Sequence, residues 1–137
     1  MAAPTIRRIL LVRLLTATVA VLAVLAAGLG ALAYLAFLRP PQTSPAEFLA
    51  RPPAERAAQV VVAAGSSTTR ATLSADWVGA VRARAGADTE IVNAGVNGDT
   101  AAGLLARLDD DVIATAPAAV VVLIGGNDLR AGVPVTE

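Results

Sequence analysis

The chain has 137 residues, with 11 basic and 11 acidic side chains and a formal net charge of zero. Every acidic residue but only seven of the arginines follow position 39, so residues 40–137 carry a net charge of −4. A nucleic-acid-binding protein needs a basic face, and we therefore expect no nucleic-acid partner. Cysteine and histidine are absent, which excludes a disulfide framework and a thiolate metal site, and we expect neither a metal nor a cofactor.

The first element in chain order is an uncharged apolar run of 25 residues at positions 14–38. As a helix it would extend about 37 Å, more than the roughly 30 Å of a bilayer's hydrocarbon core. Three arginines precede the run and one closes it, which favours an N-terminus in the cytoplasm. We interpret residues 1–13 as a cytoplasmic basic segment and residues 14–38 as a single-pass signal anchor in the lipid bilayer of the cell membrane. The remaining chain would then be extracytoplasmic.

A cleaved signal peptide is the alternative, and it would make the remaining chain a secreted protein. The apolar region of a signal peptide usually spans about 7–15 residues. The run here is longer, which favours the anchor, although Ala31-Leu32-Ala33 resembles a cleavage site.

Residues 39–58 contain five of the eight prolines. Proline lacks a backbone N–H and restricts the residue before it, so this segment should be extended or kinked. We interpret it as a linker that holds the following domain away from the membrane.

Three later segments, rich in valine and isoleucine, have the pattern of buried strands, and two amphipathic helical segments separate them. The strands are predicted at Gln59–Ala64, Glu90–Asn93 and Ala119–Ile124, and the helices within residues 74–86 and 99–117. The first helix would bury Trp77, Val78, Val81 and Ala85, and the second Leu104, Leu105, Leu108, Val112 and Ile113. The order β-α-β-α-β predicts an α/β fold with a parallel sheet.

All three predicted strands end in small and polar residues: "GSSTT", "AGVNGDT" and "GGND". Ligands of parallel sheets bind beyond the carboxyl ends of the strands, where these residues would meet. Ser67 would present a hydroxyl nucleophile there, Gly98 a backbone N–H and Asn127 a side-chain amide. A nucleophile with donors for a developing oxyanion is the arrangement that acyl transfer requires.

These strand ends resemble the sequence blocks of the SGNH (GDSL-type) hydrolases. The first block of that family is Gly-Asp-Ser after a buried strand, the second carries a glycine after a turn, and the third is Gly-x-Asn-Asp. The matching residues here are Gly65-Ser66-Ser67, then Gly98 within "VNAGVNGDT", then Gly125-Gly126-Asn127-Asp128. The resemblance covers residues 59–130, and the order of the blocks on alternating strands carries it.

The resemblance implies a three-layer α/β/α, flavodoxin-like hydrolase fold, and a membrane-anchored serine hydrolase of the esterase, lipase or acylhydrolase type. Ser67 would be the nucleophile, and Gly98 and Asn127 would complete the oxyanion hole with the Ser67 N–H. The substrate would be a small-molecule ester or an acylated glycan or lipid. The supporting loop residues would be Gly65, Ser66, Gly125, Gly126 and Asp128.

The sequence departs from the family pattern in two respects. Ser66 stands where the first block normally has Asp, and the final Asp-x-x-His block, which supplies the base, has no counterpart because the chain contains no histidine. We therefore expect residues 59–137 to be a partial, C-terminally truncated hydrolase domain that is inactive or a very weak esterase. The alternative is a non-catalytic ligand-binding module derived from the same fold.

Overall fold

The computed structural model of this protein describes residues 6–134. The predicted cytoplasmic segment 1–13 and the predicted hydrolase domain 59–137 each begin or end outside that range. The chain divides into two compact units, residues 1–39 and residues 40–137.

The first unit is one long apolar helix. Helix α1 spans Ile6–Ala33 and continues as a π-helical turn over Tyr34–Leu38. By length and composition this helix could cross a membrane, and an N-terminal signal sequence would have the same properties. The predicted apolar helix is therefore confirmed, and its role as an anchor remains a proposal.

The second unit is built on a parallel three-stranded sheet, as the sequence predicted. Strand β1 spans Gln59–Gly65, β2 spans Thr89–Gly95 and β3 spans Ala119–Leu123, in the spatial order β2-β1-β3. In the register, Gly65 lies opposite both Gly95 and Leu123. The three carboxyl ends are thus level with one another, and the segments that follow them begin at one edge of the sheet.

Short helices precede, connect and follow the strands. They are α2 (Pro45–Ala50), α3 (Ser67–Arg70), α4 (Trp77–Arg82), α5 (Ala101–Ala106), α6 (Leu108–Asp111) and α7 (Gly126–Arg130), with 3₁₀ turns at Pro53–Glu55 and Ile113–Thr115. The second predicted helix is therefore interrupted, because the backbone leaves helical geometry at Arg107 and a 3₁₀ turn begins after Val112. Two members of its predicted apolar stripe, Leu105 and Ile113, are exposed, whereas Leu104 is buried.

Apolar side chains are buried on both faces of the sheet. On one face the buried cluster comprises Phe48, Val60, Val62, Ala64, Val92, Ala94, Leu104 and Val112, and on the other it comprises Ala63, Val78 and Ile91. Adjacent residues of β1 alternate between these clusters, as side chains of a strand must. Strand β3 differs, since all five of its residues are exposed.

The proline-rich segment is packed into the second unit rather than extended as a spacer. Phe48 on α2 is only 1% exposed and belongs to the larger core cluster. The guanidinium groups of Arg51 and Arg56 lie 5.2 and 5.1 Å from the centroid of its ring. The Asn93 N–H of β2 also donates to the Thr43 carbonyl at 2.9 Å. One aromatic side chain can bury enough area to hold a proline-rich segment against a core, a contact that the interpretation of this stretch as a spacer did not include.

Candidate active site

Strands β1 and β2 each end in a glycine, because neighbouring atoms approach these positions too closely for a side chain. A Cβ on Gly65 would collide with the Leu123 carbonyl oxygen and the Thr69 hydroxyl. A Cβ on Gly95 would collide with the Arg70 backbone and lie 2.7 Å from the Thr69 carbonyl carbon. The strand ends and helix α3 are therefore in direct contact at this edge.

Ser67 is the first residue of helix α3, directly beyond β1, and it is half-buried. The helical turn that contains Ser67 is closed by the Ser66 carbonyl, which accepts from the Thr69 N–H at 3.1 Å and the Arg70 N–H at 3.0 Å. The Ser66 side chain makes no capping hydrogen bond. The backbone alone therefore closes this turn, at the position where the first SGNH block has Asp.

Buried Asn93 of β2 holds helix α3 in place. Its amide Nδ2 donates to the Thr69 carbonyl at 2.9 Å, and its Oδ1 accepts from the Gly95 N–H at 3.0 Å. Sequence reasoning assigned Asn93 only to a strand, because nothing in the pattern shows that its side chain reaches the segment carrying Ser67.

Gly98 lies in the loop after β2, residues 96–100, which we call the Gly98 loop. Its φ is +74°, a conformation that favours glycine, and a Cβ there would face open space. The loop is tied to β1 because the Val96 N–H donates to the Gly65 carbonyl at 3.0 Å.

Asn127 lies beyond β3 in helix α7, which Gly125 precedes with a φ of +106°. Its Nδ2 donates to the Asp99 carbonyl of the Gly98 loop at 2.7 Å. The carboxylate of the neighbouring Asp128 accepts from the Ala101 N–H at 3.0 and 3.1 Å. The second and third strand ends are therefore joined by side chains of the predicted Gly-x-Asn-Asp block.

Arg107 is a second residue at this edge whose contacts sequence reasoning missed. Its guanidinium pairs with Asp99 and Asp111 and donates to the Ala94 carbonyl of β2 at 2.9 Å. No feature of the sequence pattern identifies Asp99 or Asp111 as a partner of this arginine. Arg107 lies off the apolar stripe of the predicted helix, so only the tertiary structure brings these charges together.

Each predicted site residue thus lies in one of three segments that contact one another at the carboxyl edge of the sheet. Within residues 6–134 there is no group of three side chains suited to hold a metal ion. A separate surface cleft of about 380 Å³, lined by Arg56, Arg82 and Glu90 among others, lies at the opposite end of β2. The candidate site is therefore the rim built from the Ser67 segment, the Gly98 loop and Asn127.

Comparison with known proteins identifies the family. Residues 61–137 match the model of the GDSL-like lipase/acylhydrolase family. The chain belongs to this family.

Several members of known name or structure resemble it over the same region. Esterase TesA of Pseudomonas aeruginosa is 40% identical over 80 residues, which are 54% of this chain and 40% of TesA. The crystal structure of AlinE4, an SGNH-hydrolase family esterase, is 28% identical, with a TM-score of 0.46, and covers 56% of this chain and 44% of AlinE4. The lipase/acylhydrolase from Enterococcus faecalis is 26% identical, with a TM-score of 0.47 and coverages of 57% and 44%. This GDSL-like chain thus spans about two fifths of the length of these relatives.

Proposed function

We propose that this GDSL-like protein is a membrane-anchored, extracytoplasmic serine hydrolase that acts on esters or acyl groups. The observation that carries the proposal is the 2.7 Å hydrogen bond from Asn127 Nδ2 to the Asp99 carbonyl. That bond joins the third strand end to the loop carrying Gly98, while Gly65 and Gly95 pack the first two strand ends against the helix that begins at Ser67.

In the proposed reaction the Ser67 hydroxyl oxygen attacks the acyl carbonyl carbon. The backbone N–H groups of Ser67 and Gly98 and the amide of Asn127 donate to the oxyanion that forms. An amide NH₂ has two N–H donors, so Asn127 can keep its bond to Asp99 and still offer the second N–H to the substrate. Donors fixed before the reaction stabilise the developing charge without reorganisation.

A serine nucleophile also needs a base to accept its proton. Residues 1–137 contain no histidine, and we propose that the base is supplied from outside these residues. The chain by itself should then react very slowly. Its substrate class remains an ester or an acyl group on a glycan or lipid, in keeping with relatives that are named as esterases or lipase/acylhydrolases.

The membrane placement is the second part of the proposal. The helix over Ile6–Leu38 is long and apolar enough to span a bilayer. The arginines at its N-terminal side favour a cytoplasmic N-terminus. Residues 40–137 would then face the extracytoplasmic side, where an acylated surface glycan or lipid is accessible.

Labelling with a fluorophosphonate probe, with and without added imidazole, tests the assigned roles. Imidazole can act as a diffusible base, so we expect negligible labelling without it and Ser67-dependent labelling with it. The modified residue would be identified by peptide mass spectrometry. Ser67→Ala should abolish the labelling, whereas the adjacent Ser66→Ala should retain most of it.

Two results would contradict this assignment. Strong labelling of Ser67 without imidazole would show that no further base is needed. Absence of Ser67-dependent labelling in imidazole, with the unit still folded, would favour the alternative of a non-catalytic ligand-binding module.

A further inference from the structure

A single guanidinium joins the ends of β1 and β2 to the Gly98 loop. The side chain of Arg107 is 18% exposed and that of its partner Asp99 is 8% exposed. A largely buried carboxylate is costly unless a cation and hydrogen bonds compensate for its lost hydration. Arg107 provides both the cation and the hydrogen bonds for Asp99.

The guanidinium of Arg107 donates in four directions. Nε and Nη2 donate to Asp99 Oδ2 at 2.9 and 2.8 Å. Nη2 also donates to the Ala94 carbonyl at 2.9 Å and the Gly65 carbonyl at 3.3 Å, and Nη1 donates to Asp111 Oδ2 at 2.8 Å. Since Nη2 has two N–H groups for three acceptors, two of its bonds share one hydrogen. A planar guanidinium can bond to all four groups at once, whereas an ammonium group at one point cannot.

Asp99 connects Arg107 to the two proposed oxyanion donors, the Gly98 N–H and the Asn127 amide. It directly follows Gly98 in the chain, and its carbonyl accepts the Asn127 amide at 2.7 Å. Helix α5 leaves room for its carboxylate, because a Cβ on Gly103 would collide with Asp99 Oδ1. Asp99 is therefore linked to both proposed donors, to Gly98 through the peptide bond and to Asn127 through a hydrogen bond.

We propose that Arg107 is a positioning residue for the oxyanion hole, an inference that rests on the proposed function. Arg107 itself touches no substrate. Its guanidinium bridges the Asp99 carboxylate to the carbonyls of Gly65 and Ala94, and it thereby holds the Gly98 loop against the strand ends that precede and contact the Ser67 segment. Without it, the loop opens while the sheet stays folded.

The test uses ¹⁵N–¹H NMR on the full chain in detergent micelles. The Asp99 N–H donates to the Val96 carbonyl at 3.3 Å, so its hydrogen exchange reports opening of the Gly98 loop, and the β1 amides report the sheet. The chemical shift of the Gly98 N–H during titration with butyrate, a small acyl carboxylate, reports anion binding at the oxyanion hole.

In Arg107→Met we expect the Asp99 amide to exchange about tenfold faster or more, since hydrogen bonds to charged groups are lost. Exchange of the β1 amides should be unchanged, and the Kd for butyrate should rise several-fold. Arg107→Lys should give intermediate values. Arg84→Met removes an exposed arginine whose side chain donates to the Ala80 carbonyl of α4, and it should behave as the wild type.

Three outcomes would overturn the positioning role: unchanged Asp99 exchange in Arg107→Met, equal loss of protection throughout β1, or full recovery of butyrate affinity in Arg107→Lys. The last would mean that charge alone matters.

If Arg107→Met does not fold, Asp99→Asn removes the charge pair from its other side and should give the same loop-specific exchange. If butyrate does not change the chemical shift of the Gly98 N–H in the wild type, the proposed oxyanion hole is contradicted. The hydrogen exchange of the Asp99 amide would still decide the role of Arg107.

Discussion

Gly95 stands where β2 meets the helix that begins at Ser67. A Cβ at this position would lie 2.7 Å from the Arg70 Cα and 2.7 Å from the Thr69 carbonyl carbon. Both are backbone atoms, so relief would require moving helix α3 itself. Gly126, by contrast, has open space at its Cβ position. A substitution at Gly126 is therefore the control for the same substitution at Gly95.

We predict that Gly95→Ala destabilises residues 40–137 by about 1–3 kcal/mol or more, the usual cost of overpacking. Gly126→Ala should change stability by less than about 1 kcal/mol. Thermal unfolding followed by the fluorescence of Trp77, the one tryptophan of the chain, measures both, at roughly 4–8 °C per kcal/mol for a domain of this size. Equal melting temperatures for the two variants would contradict the close contact between Gly95 and α3.

At the scale of elements, helix α2 connects the proline-rich segment to the core through Phe48. The ring is 1% exposed, and two arginines lie against it. Leu105 on α5 is the opposite case, since the sequence places it on a buried stripe and the structure leaves it 70% exposed. A helix interrupted at Arg107 no longer keeps one continuous face against the sheet.

We predict that Phe48→Ala costs about 3–5 kcal/mol of unfolding free energy, because it leaves a cavity in the main core cluster. Leu105→Ala should change the unfolding free energy by no more than about 0.5 kcal/mol. Urea unfolding of the full chain in detergent micelles measures both values. If the two variants were equally stable, the proline-rich segment would be a spacer after all.

At the scale of the whole molecule, the distribution of charge along the chain determines which side of a membrane each part could occupy. The helix Ile6–Leu38 has arginine only toward its N-terminal end, and all 11 acidic residues lie beyond it. An anchor and a cleaved signal peptide both fit this pattern, and they differ in what remains attached to the membrane.

We predict that the chain resists carbonate extraction from membranes and that the double variant Val21→Arg/Val24→Arg does not. Two arginines near the middle of the helix should cost roughly 5–7 kcal/mol in the bilayer. The matched variant Leu11→Arg/Leu14→Arg places the same charges near the helix end, where long side chains reach the interface, and it should stay membrane-bound. A soluble wild-type product that begins after Ala33 would instead establish a cleaved signal peptide.

Local sequence patterns were sufficient to predict the architecture of the sheet. Runs such as "QVVVAA" and "VVVLI" predict parallel strands buried on both faces, and the structure has such a parallel sheet, although β3 lies exposed at its edge. The order of the three polar segments along the chain, each after a strand, was enough to predict that Ser67, Gly98 and Asn127 share one edge of the sheet. Strand and helix periods are properties of neighbouring residues, so a sequence carries them directly.

The sequence by itself therefore determined the apolar N-terminal helix, the parallel sheet, the three blocks at its carboxyl edge and the absence of a histidine. Only the tertiary structure decided that Phe48 joins the core and that Arg107 bonds the carbonyls of Gly65 and Ala94. The physical reason is the distance along the chain between the residues that come into contact. Arg107 and Gly65 are 42 positions apart, and no local period shows which distant carbonyl or carboxylate a guanidinium will meet once the chain has folded.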